Sequence, residues 1–271
     1  MDNRPIGVFD SGLGGLTAVR VLRRLMPDEN IIYFGDTGRM PYGGRPRAQI
    51  RTIAGQNIAF AVSHGVKAIL AACGTISSNA PELLAQNSVK TVGVLLPGAE
   101  RLAGTGKSRL AVIATQTSID SGAFQAEIRR LCPAAEITAL ACPEFVPMIE
   151  SGHYEASDPV VRDVVEHTLA PVKSAGAQAL LLGCTHYGLI ADAIRAYLGD
   201  DVTLIGAADA SAQCLADYLR DNDMLASGIG GESYYTSGCT EDFEALAPIM
   251  LGYGLKARVE HIEPFPLEDE K

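Results

Sequence analysis

Short aliphatic runs alternate along the chain with longer stretches in which apolar residues recur every three or four positions. The runs are Ile6–Phe9, Ile31–Phe34, Ala68–Ala72, Thr91–Leu95, Arg109–Ala114, Glu136–Ala141, Ala179–Gly183 and Val202–Ile205, and they predict strands. The stretch after the first run carries Leu13, Leu16, Val19, Leu22 and Leu25 on one side, with Arg20, Arg23 and Arg24 between them. That is helical spacing. Further helices are predicted over roughly Ala48–His64, Ser121–Arg130, Pro159–Ala175 and Ala207–Asp221. Strand–helix alternation of this kind implies parallel sheets flanked by helices, and such sheets bind ligands beyond the carboxyl ends of their strands.

The chain also repeats itself. Gly65-Val-Lys-Ala-Ile-Leu-Ala-Ala-Cys73 is echoed by Gly176-Ala-Gln-Ala-Leu-Leu-Leu-Gly-Cys184, at a constant spacing of 111 residues. A weaker echo pairs Ile6-Gly-Val-Phe-Asp10-Ser11 with Leu110-Ala-Val-Ile-Ala-Thr115. Self-similarity at this scale predicts an α/β fold of two pseudo-symmetric domains, with mainly parallel sheets and a site in the cleft between them. The first domain is expected over residues 1–96 with 208–271, and the second over 97–207. Pro97–Lys107 reads as the crossing between the halves. The tail contributes a helix and strands near Ser233–Ser237 and Lys256–His261 to the first domain. Its acidic end, Glu263–Lys271, is expected to be solvated.

Composition narrows the classes of function. The 271 residues carry a formal net charge of −10, which disfavours nucleic acid as a partner because duplex binding needs a basic face. No apolar run approaches a membrane span of roughly 20 residues, and no leader peptide is visible, so the expectation is a cytoplasmic protein with no membrane partner. The six cysteines form no CxxC pair and no zinc-like spacing, so no metal site is expected. Cys132 and Cys142, each followed by proline, read as packing residues.

Cys73 and Cys184 read differently, because each ends an equivalent buried strand. Inverting a stereocentre by proton transfer needs a base on one face and an acid on the other, and two opposed thiols supply both. Candidate relays stand beside them. Asp10 and Ser11 close the first strand before Gly12-Leu-Gly14-Gly15, and His186 lies two residues past Cys184. Thr75 and Thr185 are placed to donate to a carboxylate. The glycine turn is GxGG and lacks the dinucleotide spacing GxGxxG.

Several motifs together resemble the glutamate racemases of the aspartate/glutamate racemase superfamily. They are Ile6–Thr17 (IGVFDSGLGGLT), Tyr33–Gly43 (YFGDTGRMPYG), the strand ending at Cys73, Cys142–Gly152 (CPEFVPMIESG) and Leu180–Ile190 (LLLGCTHYGLI). The resemblance implies interconversion of L- and D-glutamate without pyridoxal phosphate, metal or other cofactor. It further implies D-glutamate supply for peptidoglycan and a homodimer. It casts Cys73 as the base for D-glutamate and Cys184 as the base for L-glutamate. Asp10 supports the Cys73 side and His186 the Cys184 side, and Glu150 matches an acidic position that supports the site. It assigns substrate contacts to Ser11, Tyr42, Gly43, Gly74, Thr75, Ser118 and Thr185.

The chain departs from that pattern where Cys73-Gly74-Thr75 replaces the usual Cys-Asn-Thr, which removes an amide and opens the question of substrate range. Ser118 stands where threonine is common and keeps the hydroxyl; Gly206 stands where aspartate is common. Some members carry an N-terminal extension and respond to a cell-wall precursor; that form of activation is not expected here. A pyridoxal-phosphate racemase is disfavoured, because no lysine stands at a strand end among the motifs, although Lys67 is close to one, and three other readings stay open at this point. One is a racemase for aspartate or another amino acid, motivated by Gly74. Another is a cysteine hydrolase using Cys184 with His186, for which Cys73 would be dispensable. The last is a ligand-binding regulator without chemistry.

Overall fold

Ten strands form, each parallel to its neighbours, in a computed structural model that describes residues 1–267. They are β1 (Ile6–Asp10), β2 (Ile31–Gly35), β3 (Ala68–Ala71), β4 (Lys90–Gly93), β5 (Arg109–Ala114), β6 (Glu136–Ala141), β7 (Ala179–Leu182), β8 (Thr203–Gly206), β9 (Glu232–Thr236) and β10 (Val259–His261). One sheet has the order β10-β9-β2-β1-β3-β4, the other β6-β5-β7-β8. The four strands β2-β1-β3-β4 and the four strands β6-β5-β7-β8 therefore have the same topology. The register repeats too: Ile6 pairs Ile31 and Ala68, as Leu110 pairs Ile137 and Ala179. The short sequence echoes thus mark a structural repeat, with β1 and β3 equivalent to β5 and β7. β9 and β10 extend the first sheet, as the tail's pattern predicts.

The runs β1, β3 and β7 are buried along their whole length, which explains why they read as continuous apolar runs instead of alternating ones. Each sheet is covered on both faces. Ile50, Ile53 and Phe60 of helix Arg47–Ser63 pack with Phe9 and Ile69 on one side of the first sheet. Leu102 of helix Leu95–Ala103 and Phe124 of helix Ala123–Leu131 pack with Leu110 and Leu181 of the second. A further core joins the halves: Leu16, Val19 and Leu22 of helix Leu16–Leu25 share it with Leu215 and Leu219 of helix Ala207–Asp221, and with Val161, Val165 and Leu169 of helix Pro159–Ser174.

Local signals set the ends of these elements. Asp158 caps helix Pro159–Ser174 by accepting from the Val160 N–H at 2.9 Å. The glycine that opens each repeat block, Gly65 or Gly176, follows the preceding helix with φ of +67° or +61°, where a side chain would be strained.

Four expectations are corrected. Pro97–Lys107 is mostly helix Leu95–Ala103, because proline is tolerated in a first helical turn. For the same reason β4 ends at Gly93 and does not reach Leu95. The last strand is only Val259–His261. Glu263–Leu267 is not a free end: the Phe265 carbonyl accepts from Arg39, the Pro266 carbonyl accepts from Gln56, and Leu267 is buried. Residues 268–271 of that segment lie outside the described residues. Among the described residues, no helix is long and apolar enough to cross a membrane.

Candidate active site

Both cysteines stand where a central strand gives way to a helical turn. Cys73 links β3 to helix Gly74–Asn79, and Cys184 links β7 to the 3-10 turn Thr185–Ile190. Their backbones are alike, with φ, ψ of −107°, 117° and −113°, 137°. The carboxyl ends of both sheets open onto one cavity of about 470 Å³. One wall comes from the first sheet and holds Asp10, Ser11, Tyr42, Gly43, Cys73, Gly74 and Thr75. The other comes from the second sheet and holds Ser118, Glu150, Cys184, Thr185 and His186. All twelve residues singled out from the sequence line this one space.

The Gly12–Gly15 turn does more than reverse the chain. A Cβ on Gly14 would collide with the His186 ring, 2.2 Å from Nδ1, and one on Gly15 would lie 2.8 Å from the Asp10 Cβ. The Gly15 N–H donates to Asp10 Oδ2 at 2.8 Å. Bare backbone therefore lets both acid–base candidates seat against the turn. Tyr33 holds the turn from below by donating its hydroxyl to the Gly12 carbonyl at 2.8 Å.

The two cysteine sides differ electrostatically. Cys73 is buried, and burial pushes its thiol up to about 12, helped by the Asp10 charge. Asp10 is itself raised by burial, against which His186, the Gly15 and Ser11 amides and Cys73 all pull. The resting Cys73 side therefore holds a proton. On the other side, His186 Nδ1 lies 3.8 Å from Cys184 Sγ, and Nε2 lies 3.0 Å from Glu150 Oε1. Burial alone would lower the histidine, but its bonds to Cys184 and Glu150 outweigh that and push it up to about 10. The ring therefore holds its second proton more tightly than a free imidazole does, with both nitrogens engaged.

A row of hydroxyls crosses the cavity. Thr75 Oγ1 lies 3.3 Å from Thr115 Oγ1, which lies 2.9 Å from Ser118 Oγ. Thr115 is not among the residues read from the sequence, although it is the repeat partner of Ser11. Cys142, read as a packing residue, is buried but also lines the cavity; burial pushes its thiol up to about 12, with Cys184 adding to the effect. Asp36 is a further residue not singled out. Its buried carboxylate accepts from Arg39 Nε at 2.7 Å, from Ser237 Oγ at 2.6 Å and from the Tyr42 hydroxyl, and so fixes Tyr42 at the cavity wall. Gly74 also acts differently from the sequence expectation. Beyond lacking an amide, it lies so close to the Gly183 carbonyl that a Cβ would come within 2.6 Å of the oxygen.

Lys67 stands at the opposite end of β3 from the cavity. Its Nζ pairs with Glu29 Oε2 at 2.6 Å and donates to the Asp2 and Met224 carbonyls. Among the described residues, no three His, Cys, Asp or Glu side chains are grouped to hold a metal ion.

Comparison with known proteins agrees with this geometry. The Asp/Glu/Hydantoin racemase family profile matches residues 17–215. A glutamate racemase of Streptococcus equi subsp. equi is 39% identical over 270 residues, covering 97% of this chain and 99% of its own. The glutamate racemase of Francisella tularensis, solved with D-glutamate, superposes with a TM-score of 0.89 at 34% identity, covering 97% and 98% of the two chains. That of Thermus thermophilus, solved with beta-chloro-D-alanine, gives 0.86 at 40%, with the same coverage. Fold and relatives define the class: this is an amino-acid racemase, an isomerase. The chain belongs to the Asp/Glu/Hydantoin racemase family.

Proposed function

We propose that the protein interconverts L- and D-glutamate by proton transfer between two thiols, Cys73 and Cys184. The observation that carries this reading is that these cysteines line one cavity from equivalent strand ends of two facing sheets. For L-glutamate, the Cys184 thiolate takes the α-proton while the Cys73 thiol delivers a proton to the opposite face. The product is D-glutamate, with Cys73 left as thiolate and Cys184 as thiol; the reverse direction uses the same groups with the roles exchanged. Asp10 relays protons beside Cys73. His186, held by Glu150, does so beside Cys184, where its positive charge also faces the sulfur.

The hydroxyls of Ser11, Thr75, Thr115, Ser118 and Thr185, with the backbone at Tyr42, Gly43 and Gly74, seat the two carboxylates and the ammonium. The same reading makes the protein a cytoplasmic homodimer that supplies D-glutamate for peptidoglycan. It divides the chain into residues 1–96 with 208–271 and residues 97–207.

The test is deuterium incorporation at the α-carbon of L- and D-glutamate in heavy water without added cofactor. We expect exchange and inversion by the wild type. Cys73→Ala and Cys184→Ala each lose at least about a hundredfold in inversion, the lower end of what a positioned acid or base contributes. Full inversion by Cys73→Ala would overturn the two-thiol mechanism, and no α-exchange by the wild type would leave hydrolase-type chemistry on the Cys184–His186 pair as the reading to test. Exchange with aspartate but not glutamate would move the substrate assignment.

A further inference from the structure

The loop over residues 40–46 joins the 3-10 turn Thr37–Arg39 to helix Arg47–Ser63, and its Met40, Pro41, Tyr42 and Gly43 line the cavity. The base of the loop is held within the first half. Tyr42 is buried and donates its hydroxyl to Asp36, and that hydroxyl accepts from Asn57 Nδ2 at 3.3 Å. The Arg45 N–H donates to the Tyr42 carbonyl at 3.1 Å, and the Arg45 guanidinium donates to the Arg39 carbonyl at 2.9 Å.

The tip of the loop is tied to the other half. The Gly44 N–H donates to Thr117 Oγ1 at 2.8 Å. A Cβ on Gly43 would meet a single atom within 4 Å, and that atom is again Thr117 Oγ1, at 3.9 Å. Thr117 lies in helix Gln116–Asp120. Its neighbours Gln116 and Ser118 line the cavity, as Gly43 does, whereas Gly44 and Thr117 stand just outside the lining. The bond therefore spans the rim. Two other contacts between the halves beside the cavity are longer. Thr75 Oγ1 lies 3.3 Å from Thr115 Oγ1, and Thr17 Oγ1 lies 3.1 Å from the Thr185 carbonyl but only 2.7 Å from the Gly14 carbonyl of its own half.

We infer that Thr117 is a positioning residue: its hydroxyl clasps the Tyr42-Gly43-Gly44 tip across the cavity mouth and so holds the substrate contacts of the two walls in one register. The inference rests on the proposed reading, in which the backbone at Tyr42 and Gly43 and the hydroxyls of Thr115 and Ser118 seat glutamate. Thr117 stands between those two hydroxyls in the chain, and Gly44 follows Gly43 directly, so one bond joins both sets. Binding groups that are already aligned lose less affinity to the ordering that binding demands. Without the clasp the tip moves relative to the second wall, and the hold on substrate weakens. The cysteines sit at strand ends, remote in the chain from both partners of the clasp, so the proton-transfer step is left in place. Gly44 is exposed, so its N–H turns to water when the hydroxyl is removed, and folding stability changes little.

Thr117→Val tests this, because it keeps the branched shape and removes the acceptor. Thr117→Ser keeps the acceptor. For Thr117→Val we expect KM for L- and for D-glutamate to rise about 3- to 10-fold, the worth of about one hydrogen bond. Its kcat should stay within twofold of wild type, and its melting temperature should not move. Thr117→Ser should keep wild-type KM. Hydrogen exchange of the Gly44 amide, followed by NMR without substrate, should be about 3- to 10-fold faster in Thr117→Val and unchanged in Thr117→Ser. A merely structural role would lower the melting temperature or kcat and leave KM in place.

A KM for Thr117→Val within twofold of wild type, or a Thr117→Ser variant no better than Thr117→Val, overturns the inference. If the wild type itself fails to exchange glutamate, the proposed function falls. The Gly44 amide then decides the clasp alone: unchanged exchange in Thr117→Val overturns it and faster exchange supports it.

Discussion

His186 carries the charge of the cavity, and its titration gives a signed prediction. Its pKa is raised from about 6.5 to about 10, which means that the folded chain binds the proton more tightly than the unfolded chain. The stabilisation is complete below pH 6.5 and is lost as pH rises toward about 10. Glu150→Gln removes one of the two bonds that raise the histidine, so the alkaline limb of the kcat profile should move to lower pH. The alkaline fall in melting temperature should move with it. An alkaline limb that stays in place in Glu150→Gln would refute the role of Glu150 as the partner that keeps His186 charged. At this scale much of the site was legible. Cysteines, acids and hydroxyls at strand ends declare themselves because loops beyond parallel strands are where ligands sit. What stayed hidden was Asp36, whose part depends on Ser237 some two hundred residues away, and Cys142, whose dual place in core and cavity wall is a matter of side-chain direction. Thr115 could have been found, since the repeat pairs it with Ser11.

At the scale of elements, strands were easier to place than their ends. β1, β3 and β7 announce themselves because burial on both faces demands an unbroken apolar run. The helix Leu95–Ala103 was concealed by its proline and glycine, Pro97 and Gly98, which read as a linker until its apolar face finds Leu110 and Leu181. The tail is solvated at Glu263, as its charge argues, but is tied down beyond it, where Arg39 and Gln56 supply donors for its carbonyls and Leu267 is buried. Lys67 shows what holds one end of β3. Its ammonium and Glu29 are both shielded from water, with side-chain exposures of 0% and 2%. Lys67→Met would leave Glu29 as an unpaired buried charge, so unfolding free energy should drop by about 3–5 kcal/mol. Activity per folded molecule should stay unchanged, because Lys67 lies at the far end of the strand from the cavity. Denaturant melts combined with kcat measure both.

For the whole molecule, the repeat raises the question of whether the halves behave as two units. The topologies of β2-β1-β3-β4 and β6-β5-β7-β8 match, yet the cores are not separate. Val8 and Leu70 of the first sheet belong to the same buried cluster as Ala111, Ile113 and Leu180 of the second, and Leu215 of helix Ala207–Asp221 sits within it. Loss of either half would strip apolar cover from the other. The proposed division into 1–96 with 208–271 and 97–207 is then a division of topology and not of stability, and the chain should unfold in one cooperative step. Leu215→Ala removes a fully buried side chain from the shared cluster and should destabilise by about 2–5 kcal/mol. The single transition should move to lower temperature without splitting. Two resolved transitions in calorimetry, with only one displaced by Leu215→Ala, would mean that each half keeps its own stability. One transition that moves as a unit means that the shared cluster, and not either sheet alone, sets the stability of both halves.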